Sequence, residues 1–229
     1  MQRLKRKLRD VIRDSSYLYP VFLKLYLGKQ LKLPSVDTDC HLTGFPRSAN
    51  TYSHYLAKGL FPDLKFITHV HTIASLRMAR KLHVPVAIIF RNPVDCAISM
   101  CLKYKKKSTD AVAINGYFYD YIHYHEWILK HLPDAVFFEF EDVTQHSKGF
   151  IIKLADFLDK EVDSTDLESR LSGIKSAFNG REKLKDPDGS SLPQQSRIAK
   201  KAEFEAAVKR SALLEPATEC YQTLKNKLS

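Results

Sequence analysis

Short apolar runs alternate with helix-length segments through the middle of this chain, and that alternation restricts its fold more than any other feature. The runs are Cys40 to Phe45, Lys65 to Val70, Val84 to Phe90 and Ala135 to Phe140. Strands separated by helices are joined by right-handed crossovers, which build a mostly parallel sheet with helices on both faces. The pattern therefore predicts a three-layer α/β fold.

Helical patterns fill the intervals between these runs and continue beyond them. With 229 residues the chain can bury one sizeable core, so we expect a single domain over residues 1–229. We expect residues 1–36 to form a basic helical segment and residues 180–196, rich in Lys, Asp, Gly and Ser, to form a mobile loop. The predicted helices lie near Asn50–Leu60, Thr72–Leu82, Pro93–Lys106, Thr109–His131, Ser147–Leu158, Thr165–Phe178 and Lys200–Leu228.

The chain is strongly basic, with 36 Lys and Arg residues against 26 Asp and Glu and a formal charge of +10. This excess indicates an anionic partner: nucleic acid, an acidic membrane surface or a polyphosphorylated cofactor. In the first helix Leu4, Leu8, Val11 and Ile12 share one face, with basic side chains around them. Such a face is typical either of packing against the core or of contact with anionic lipid, in which residues 17–27 would take part.

The four cysteines show no C-x-x-C pairing, which favours reduced thiols in a reducing compartment. No apolar run approaches the roughly 20 residues that span a bilayer, and no signal-peptide core follows the charged start. From these features we expect a soluble, cytoplasmic protein.

The first predicted strand runs into the segment Gly44–Tyr52, of sequence GFPRSANTY, and then into a helix. A strand, turn and helix N-terminus present backbone N–H groups and a positive dipole end to an anion, as in a P-loop. Against the pattern G-x-x-x-x-G-K-[ST], however, Ala49 replaces the second glycine and Asn50 the lysine, while Arg47 supplies charge from inside the loop. The segment therefore predicts a P-loop-like fold whose loop suits a phosphosulfate better than a magnesium-bound triphosphate. The alternative is an ordinary turn with Arg47 on the surface and Asn50 as helix cap.

A second motif, Arg91–Ser99 of sequence RNPVDCAIS, follows the apolar strand that ends at Phe90. Arg91 leaves the carboxyl end of a parallel strand, where open α/β sheets place ligands, and can form bidentate bonds to a phosphate. Ser99, two turns into the next helix, can add a hydroxyl on the same side. Asp95 in the first helical turn is expected to stabilise the helix N-terminus. The alternative is that Arg91 and Asp95 pair with each other.

Both segments resemble motifs of the sulfotransferases that use 3′-phosphoadenosine 5′-phosphosulfate (PAPS). The first is similar to P-[KR]-S-G-T-T-W, with Ala, Asn and Tyr in place of Gly, the first Thr and Trp, and the second matches R-[ND]-P-x-D-x-x-x-S at every fixed position. The resemblance covers roughly residues 40–178. It implies transfer of a sulfuryl group from PAPS to a hydroxyl or amine of a carbohydrate, lipid or small molecule, with PAP as product and no metal.

The resemblance also implies which residues contact the donor. Phe140 begins the sequence FED, where the family has [YF]-E-D, and Ser176 lies in a loose match to its S-F segment. The family's glycine-rich C-terminal lid is missing, although Arg197 and Lys200 could replace its charges. The implied donor-binding residues are Arg47, Ser48, Ala49, Asn50, Thr51, Tyr52, Arg91, Ser99, Phe140, Ser176, Arg197 and Lys200.

Two histidines between the motifs are candidates for the catalytic base. Sulfuryl transfer requires the acceptor hydroxyl to lose its proton as it attacks, and a histidine titrates near neutral pH. His69 and His71 stand at the end of the second predicted strand, where residues two apart share a face, so the sequence does not choose between them. Arg47 is expected to stabilise the charge that builds on the leaving phosphate.

Two other functions are compatible with the composition. A basic nucleic-acid-binding domain accounts for the charge, although no helix-turn-helix, RNP or zinc-finger pattern is present, so nucleic acid is not the expected partner. A nucleotide kinase of the same broad fold is disfavoured because the loop lacks its lysine. The aromatic helix around His123 and His125 lacks the i, i+4 histidine pair of a helical zinc site, so we expect it to serve in packing.

Overall fold

The computed structural model describes residues 2–27, 33–68, 70–104, 106, 110–185 and 195–228. Within its helices, the side chains of residues 2–6, 26–27, 182–185 and 195–200 lie outside this description.

The core of the molecule is a sheet of four strands in the order β2-β1-β3-β4, in which every neighbouring pair is parallel. This arrangement confirms the α/β fold with a parallel sheet that the alternating pattern predicts. The strands are β1 (Cys40–Gly44), β2 (Phe66–Ile67), β3 (Val86–Phe90) and β4 (Val136–Glu139).

Helices surround the sheet and account for most of the remaining described chain. They are α1 (Gln2–Asp14), α2 (Leu18–Leu27), α3 (Asn50–Leu60), α4 (Ile73–Lys81), α5 (Pro93–Lys103), α6 (Ala111–His131), α7 (Phe140–Thr144), α8 (Ser147–Phe157), α9 (Leu167–Lys185), α10 (Gln195–Val208) and α11 (Leu214–Lys225).

Two apolar clusters, one on each face of the sheet, give the fold its three layers. Along β3 the side chains alternate between them: Ala87 and Ile89 pack with α3, α8 and α9, whereas Val86, Ile88 and Phe90 pack with α4, α5, α6, α10 and α11. A strand buried on both faces is continuously apolar, which explains the uninterrupted hydrophobic run at this point in the sequence. The predicted helices on both faces are therefore confirmed.

The two central strands, β1 and β3, define a crevice at the carboxyl edge of the sheet. They are hydrogen-bonded neighbours, with Gly44 paired to Ile89 near their ends. The helix that follows β1 goes to one face of the sheet and the helix that follows β3 goes to the other. In open α/β sheets such a reversal of direction opens a cleft for ligands.

The second strand is shorter than predicted, since it covers Phe66–Ile67 rather than residues 65–70. It pairs with β1 only at Cys40 and His41. Beyond that point the hydroxyl of Thr43 donates to the backbone oxygen of Val70 at 3.1 Å. Beyond Ile67 a side chain therefore links the two segments in place of the backbone ladder.

Two other bounds differ from the sequence-based expectation. The predicted loop at residues 180–196 is helical at both ends, because α9 continues through the helix-favouring sequence REKLK and α10 begins at Gln195; residues 186–194 lie outside the described part of the chain. The single helix predicted over residues 200–228 is two helices. Ser211 separates them, and its hydroxyl accepts a hydrogen bond from the N–H of Leu213 at 3.2 Å.

All four cysteines are free thiols buried in the protein. Burial raises the pKa of Cys40 to about 12 and the pKa of Cys96 and Cys101 to about 11, so these thiols stay protonated near neutral pH. Among the described residues, the helices are all too short or too polar to cross a bilayer.

The close approach of β1 to β3 depends on the absence of a side chain at Gly44. A Cβ atom there would lie 2.0 Å from the backbone oxygen of Ile89, which a strand in the centre of the sheet cannot move away. We expect Gly44→Ala to lower the free energy of unfolding by about 1 to 3 kcal/mol, the scale of overpacking in a core. Denaturant titration measures this change.

Gly173→Ala is the matched control for that prediction, because a Cβ atom at Gly173 in α9 would meet nothing within 4 Å. In a helix this replacement should raise the free energy of unfolding by about 0.5 to 1 kcal/mol. Equal effects of the two substitutions would contradict the assigned close approach.

Candidate functional site

The loop between β1 and α3 has the backbone shape of an anion-binding turn. Arg47 and Ala49 adopt left-handed conformations, with φ of 75° and 61°. Ala49 is the N-cap of α3 and has no side-chain group that could bond the first turn. The helices after β2 and β3, in contrast, are capped by the side chains of Thr72 and Asn92. Of these three helix N-termini in the described chain, that of α3 alone is left for another acceptor.

Two side chains of the loop hold its shape from inside. Asn50 donates from Nδ2 to the backbone oxygens of Phe45, at 2.9 Å, and Gly44, at 3.4 Å, so it braces the loop and does not cap the helix. Ser48 is fully buried, with its hydroxyl 3.8 Å from the Sγ of Cys96 in α5. The side chains of both residues therefore serve the loop, while their backbone lies at the start of α3.

The two sequence motifs meet across the crevice. Arg47 donates from Nε to the hydroxyl of Ser99 at 2.8 Å, and Arg91 donates from Nη1 to the backbone oxygen of Arg47 at 3.1 Å. These two hydrogen bonds join residues that are 52 and 44 positions apart in the sequence. The loops after β1 and β3 therefore lie side by side. The arrangement places two guanidinium groups and a hydroxyl next to the uncapped N-terminus of α3.

Contacts from three other elements fix the second motif. The guanidinium of Arg91 lies 4.0 Å from the centre of the Phe140 ring, and the hydroxyl of Tyr121 donates to the Arg91 backbone oxygen at 2.9 Å. Asp95 forms an ion pair with Lys201 of α10 at 2.9 Å, which replaces the alternative pairing of Asp95 with Arg91. Arg91 is therefore held by a carbonyl oxygen and an aromatic face, both of which are neutral.

The FED sequence, residues 140–142, forms the start of a short helix, which the motif alone does not reveal. Phe140 begins α7 and does not end β4, because Glu139 and Asp142 form a capping box in which the Glu139 N–H donates to Asp142 at 2.8 Å. Glu139 also accepts a hydrogen bond from the Tyr221 hydroxyl and lies 3.4 Å from the Nζ of Lys225. Phe140 is half-buried beneath Arg91, which makes it a support for that side chain.

The remaining predicted donor contacts lie on α3, α9 and α10. The rings of Tyr52 and Phe178 are 5.1 Å apart, and Thr51 is half-buried in the first turn of α3. Ser176 is exposed and, two positions before the inward-facing Phe178, lies on the solvent side of α9. Arg197 and Lys200 belong to α10, but their side chains are outside the described residues.

His71 lies beside the end of β1, beyond the short strand β2. Its Nδ1 is 3.4 Å from the hydroxyl of Thr43, whose single proton is donated to Val70 O. With the proton on Nδ1 this contact is an N–H donation to the hydroxyl, and in that tautomer Nε2 carries the lone pair that can take a proton. Because β2 ends at Ile67, the argument that two strand residues share a face does not apply here. His69 lies outside the described residues.

The sequence analysis did not identify three buried polar residues in β1 and α6. His41 and Thr43 alternate with apolar residues along β1 and are fully buried, as is His125 of α6. Burial lowers the pKa of His41 and of His125 to about 3, so both are neutral and neither can serve as a solvent-accessible base near pH 7. The period-two polar pattern in the sequence CHLTG was the available signal. Among the described residues no group of His, Cys, Asp and Glu is placed to hold a metal ion.

No protein-family model and no curated protein matches this sequence. Among solved structures, the chain is similar to mouse sulfotransferase SULT7A1 complexed with PAP. The two share 13% sequence identity over 88% of this chain and 87% of that chain, with a TM-score of 0.48. A likeness of this degree carries no inference about function.

The left-handed backbone conformation of Ala49 predicts how a glycine at this position changes the free energy of unfolding. An L-residue in this conformation is strained by roughly 1 to 2 kcal/mol, which exceeds the chain entropy that glycine adds to the unfolded state. We therefore expect Ala49→Gly to raise the free energy of unfolding by about 0.5 to 1 kcal/mol. Ala113→Gly, inside α6, is the control and should lower it by about 1 kcal/mol. If both variants lose stability alike, Ala49 is not strained.

Proposed function

We propose that this protein is a sulfotransferase that moves a sulfuryl group from PAPS to a hydroxyl or amine of an acceptor. The observation that carries the proposal is the convergence of Arg47, Ser99 and Arg91 on one crevice, at 2.8 and 3.1 Å. PAPS carries a phosphosulfate at one end of its ribose and a phosphate at the other. Two cationic loops on neighbouring strands suit such a ligand, because each loop can take one anionic group.

The residues around Arg91 fit an anionic ligand. Its Nε atom is buried and has no hydrogen-bond partner among the described residues, and an anionic oxygen is the acceptor that would satisfy it. In the proposed complex Arg91 and Ser99 bind the 3′-phosphate. The backbone N–H groups at the start of α3 bind the phosphosulfate, with Asn50 and Ser48 keeping the loop in shape.

The aromatic pair of Tyr52 and Phe178 lies on the face of the sheet occupied by α3 and α9. In the proposed complex this pair borders the adenine. Phe140 acts through Arg91, because its ring stacks on the guanidinium group. Ser176 is exposed and lies at the edge of the proposed site. Lys201 of α10 is anchored on Asp95 at the edge of this site, and the side chains of Arg197 and Lys200 in the same helix lie outside the described residues.

The proposed chemistry is an in-line displacement at sulfur. The acceptor oxygen or nitrogen forms a bond to sulfur while the bond from sulfur to the phosphate oxygen breaks, and PAP leaves. Nε2 of His71 takes the acceptor proton, and Thr43 holds the ring in the required tautomer. Arg47 neutralises the charge that develops on the leaving phosphate.

Sulfate transfer from labelled PAPS to a panel of carbohydrate, lipid and small-molecule acceptors tests the function directly, with products identified by mass spectrometry. Transfer to any class would support the proposal and name the acceptor. Magnesium-dependent turnover of ATP without sulfate transfer would contradict it and favour a nucleotide kinase.

Arg91 should discriminate between nucleotides with and without a 3′-phosphate. We expect Arg91→Ala to weaken PAP binding by about 1.5 to 3 kcal/mol, the scale of a hydrogen bond to a charged group. Binding of adenosine 5′-phosphosulfate, which lacks that phosphate, should scarcely change. Calorimetry with both ligands measures the difference, and Arg77→Ala, an exposed arginine over the Trp127 ring, is the control. Equal losses for both ligands would mean that Arg91 only supports the loop.

His71 should affect turnover and leave donor binding unchanged. If it removes the acceptor proton, His71→Ala lowers kcat by roughly 10²- to 10⁴-fold with nearly constant PAP affinity. His69→Ala needs the same assay, and the exposed His146 is the control histidine. Wild-type turnover in both the His69 and the His71 variants, with chemistry rate-limiting, would place the base elsewhere.

A further inference from the structure

Charged side chains in the second half of helix α1 face the protein. Arg9 Nη2 lies 2.5 Å from Asp120 Oδ1 of α6, and Asp14 Oδ2 lies 2.7 Å from His123 Nε2. Asp10 accepts from Arg9, at 2.8 Å, on the same inner side. Both acidic residues of the helix are therefore used in internal pairs, and the helix is held to α6 by polar contacts.

Two apolar residues of α1, Leu8 and Val11, point outward, whereas Ile12 is half-buried. Val11 is 58% exposed and Leu8 62%, although the sequence places both on the apolar face of the helix. The exposed apolar surface continues into α2, where Leu25 is 74% exposed. We call this surface the apolar ridge; it comprises Leu8, Val11, Tyr17, Leu18, Val21 and Leu25. At Leu8 and Val11 the apolar face of α1 therefore does not pack against the core, as the alternative expectation of contact with anionic lipid requires.

Basic side chains border the apolar ridge. Lys7 is exposed four positions before Val11, and Lys24 is exposed three positions after Val21, so each shares a helix face with a ridge residue. Lys81 of α4 lies with its Nζ 5.6 Å from the centre of the Tyr17 ring. An apolar surface with a cationic border is complementary to an interface that has hydrocarbon beneath anionic groups.

We propose that the apolar ridge docks the protein on an anionic membrane surface, with α1 and α2 lying in the plane of the headgroups. A second copy of the chain is the less suitable occupant, because its own ridge carries the same positive border and would be repelled. The acidic residues of α1 do not oppose lipid binding, since their internal pairs turn them away from the ridge.

Helix α1 also contacts the segment that carries the proposed base. Arg13, on the inner side of α1, donates from Nη2 to the backbone oxygen of His71 at 3.5 Å. If His71 is the base, as the proposed function requires, the helix that docks on lipid also contacts the segment of the catalytic base. Lipid binding itself needs neither PAPS nor turnover, so a failure of docking and a failure of the proposed function can be told apart.

Sedimentation with vesicles tests the proposal on the full chain. We expect binding to phosphatidylcholine vesicles containing about 30 mol% phosphatidylserine, much weaker binding to phosphatidylcholine alone, and loss of binding in high salt. Val11→Gln should lower the partition coefficient about three- to tenfold, because an apolar side chain no longer enters the interface. Val112→Gln is the matched control: it is also a helical valine with 58% exposure, and its binding should equal wild type.

The cationic border is tested separately by charge removal. Lys7→Gln together with Lys24→Gln should lower binding about fivefold for each lysine, whereas removal of the exposed Lys130 and Lys160 should have little effect. Equal binding of wild type and Val11→Gln, or no preference for anionic vesicles, would overturn the proposal. So would a dimer in solution that Val11→Gln dissociates, because it would assign the apolar ridge to a second copy.

Discussion

The close contact between β1 and β3 is the constraint on which the rest of the site depends. At Gly44 the two strands approach so closely that a Cβ atom would fall 2.0 Å from the Ile89 carbonyl oxygen. The strands end together, and their following helices leave to opposite faces of the sheet. The two loops are therefore forced side by side. This geometry allows Arg91 to donate to the backbone of Arg47, and Arg47 to reach Ser99.

The electrostatics of the crevice follow from that geometry. Arg91 is held in the described chain by a carbonyl oxygen and the Phe140 ring, which orient its charge without neutralising it. The adjacent helix start lacks a side-chain cap, so its N–H groups add positive potential at the same place. A neutral ligand would leave this field uncompensated. A nucleotide with two separated anionic groups suits it, and the proposed function rests on that match.

The sequence predicted the structure correctly where a local pattern of residues determines it. Alternating runs predicted the parallel sheet, and the position of Arg91 after an apolar strand predicted that it lies at the carboxyl edge, where open sheets bind ligands. Contacts between distant segments could not be read in the same way. Thr43 bonds to Val70 through its side chain where the sequence predicts further strand, and the capping box places Phe140 in a helix. The outward apolar face of α1 was equally hidden, because periodicity shows that a helix is amphipathic and does not show which face packs.

Hydrogen exchange with and without PAP tests the central claim, that the crevice between β1 and β3 binds the donor nucleotide. The account predicts slower exchange of the N–H groups at the start of α3, including Asn50 and Thr51, and along residues 91–99. Exchange in the second half of α8, at residues 151–157, should not change, because none of these residues is assigned to the crevice. Protection that is absent from the start of α3, or that appears only in other helices, would contradict the account.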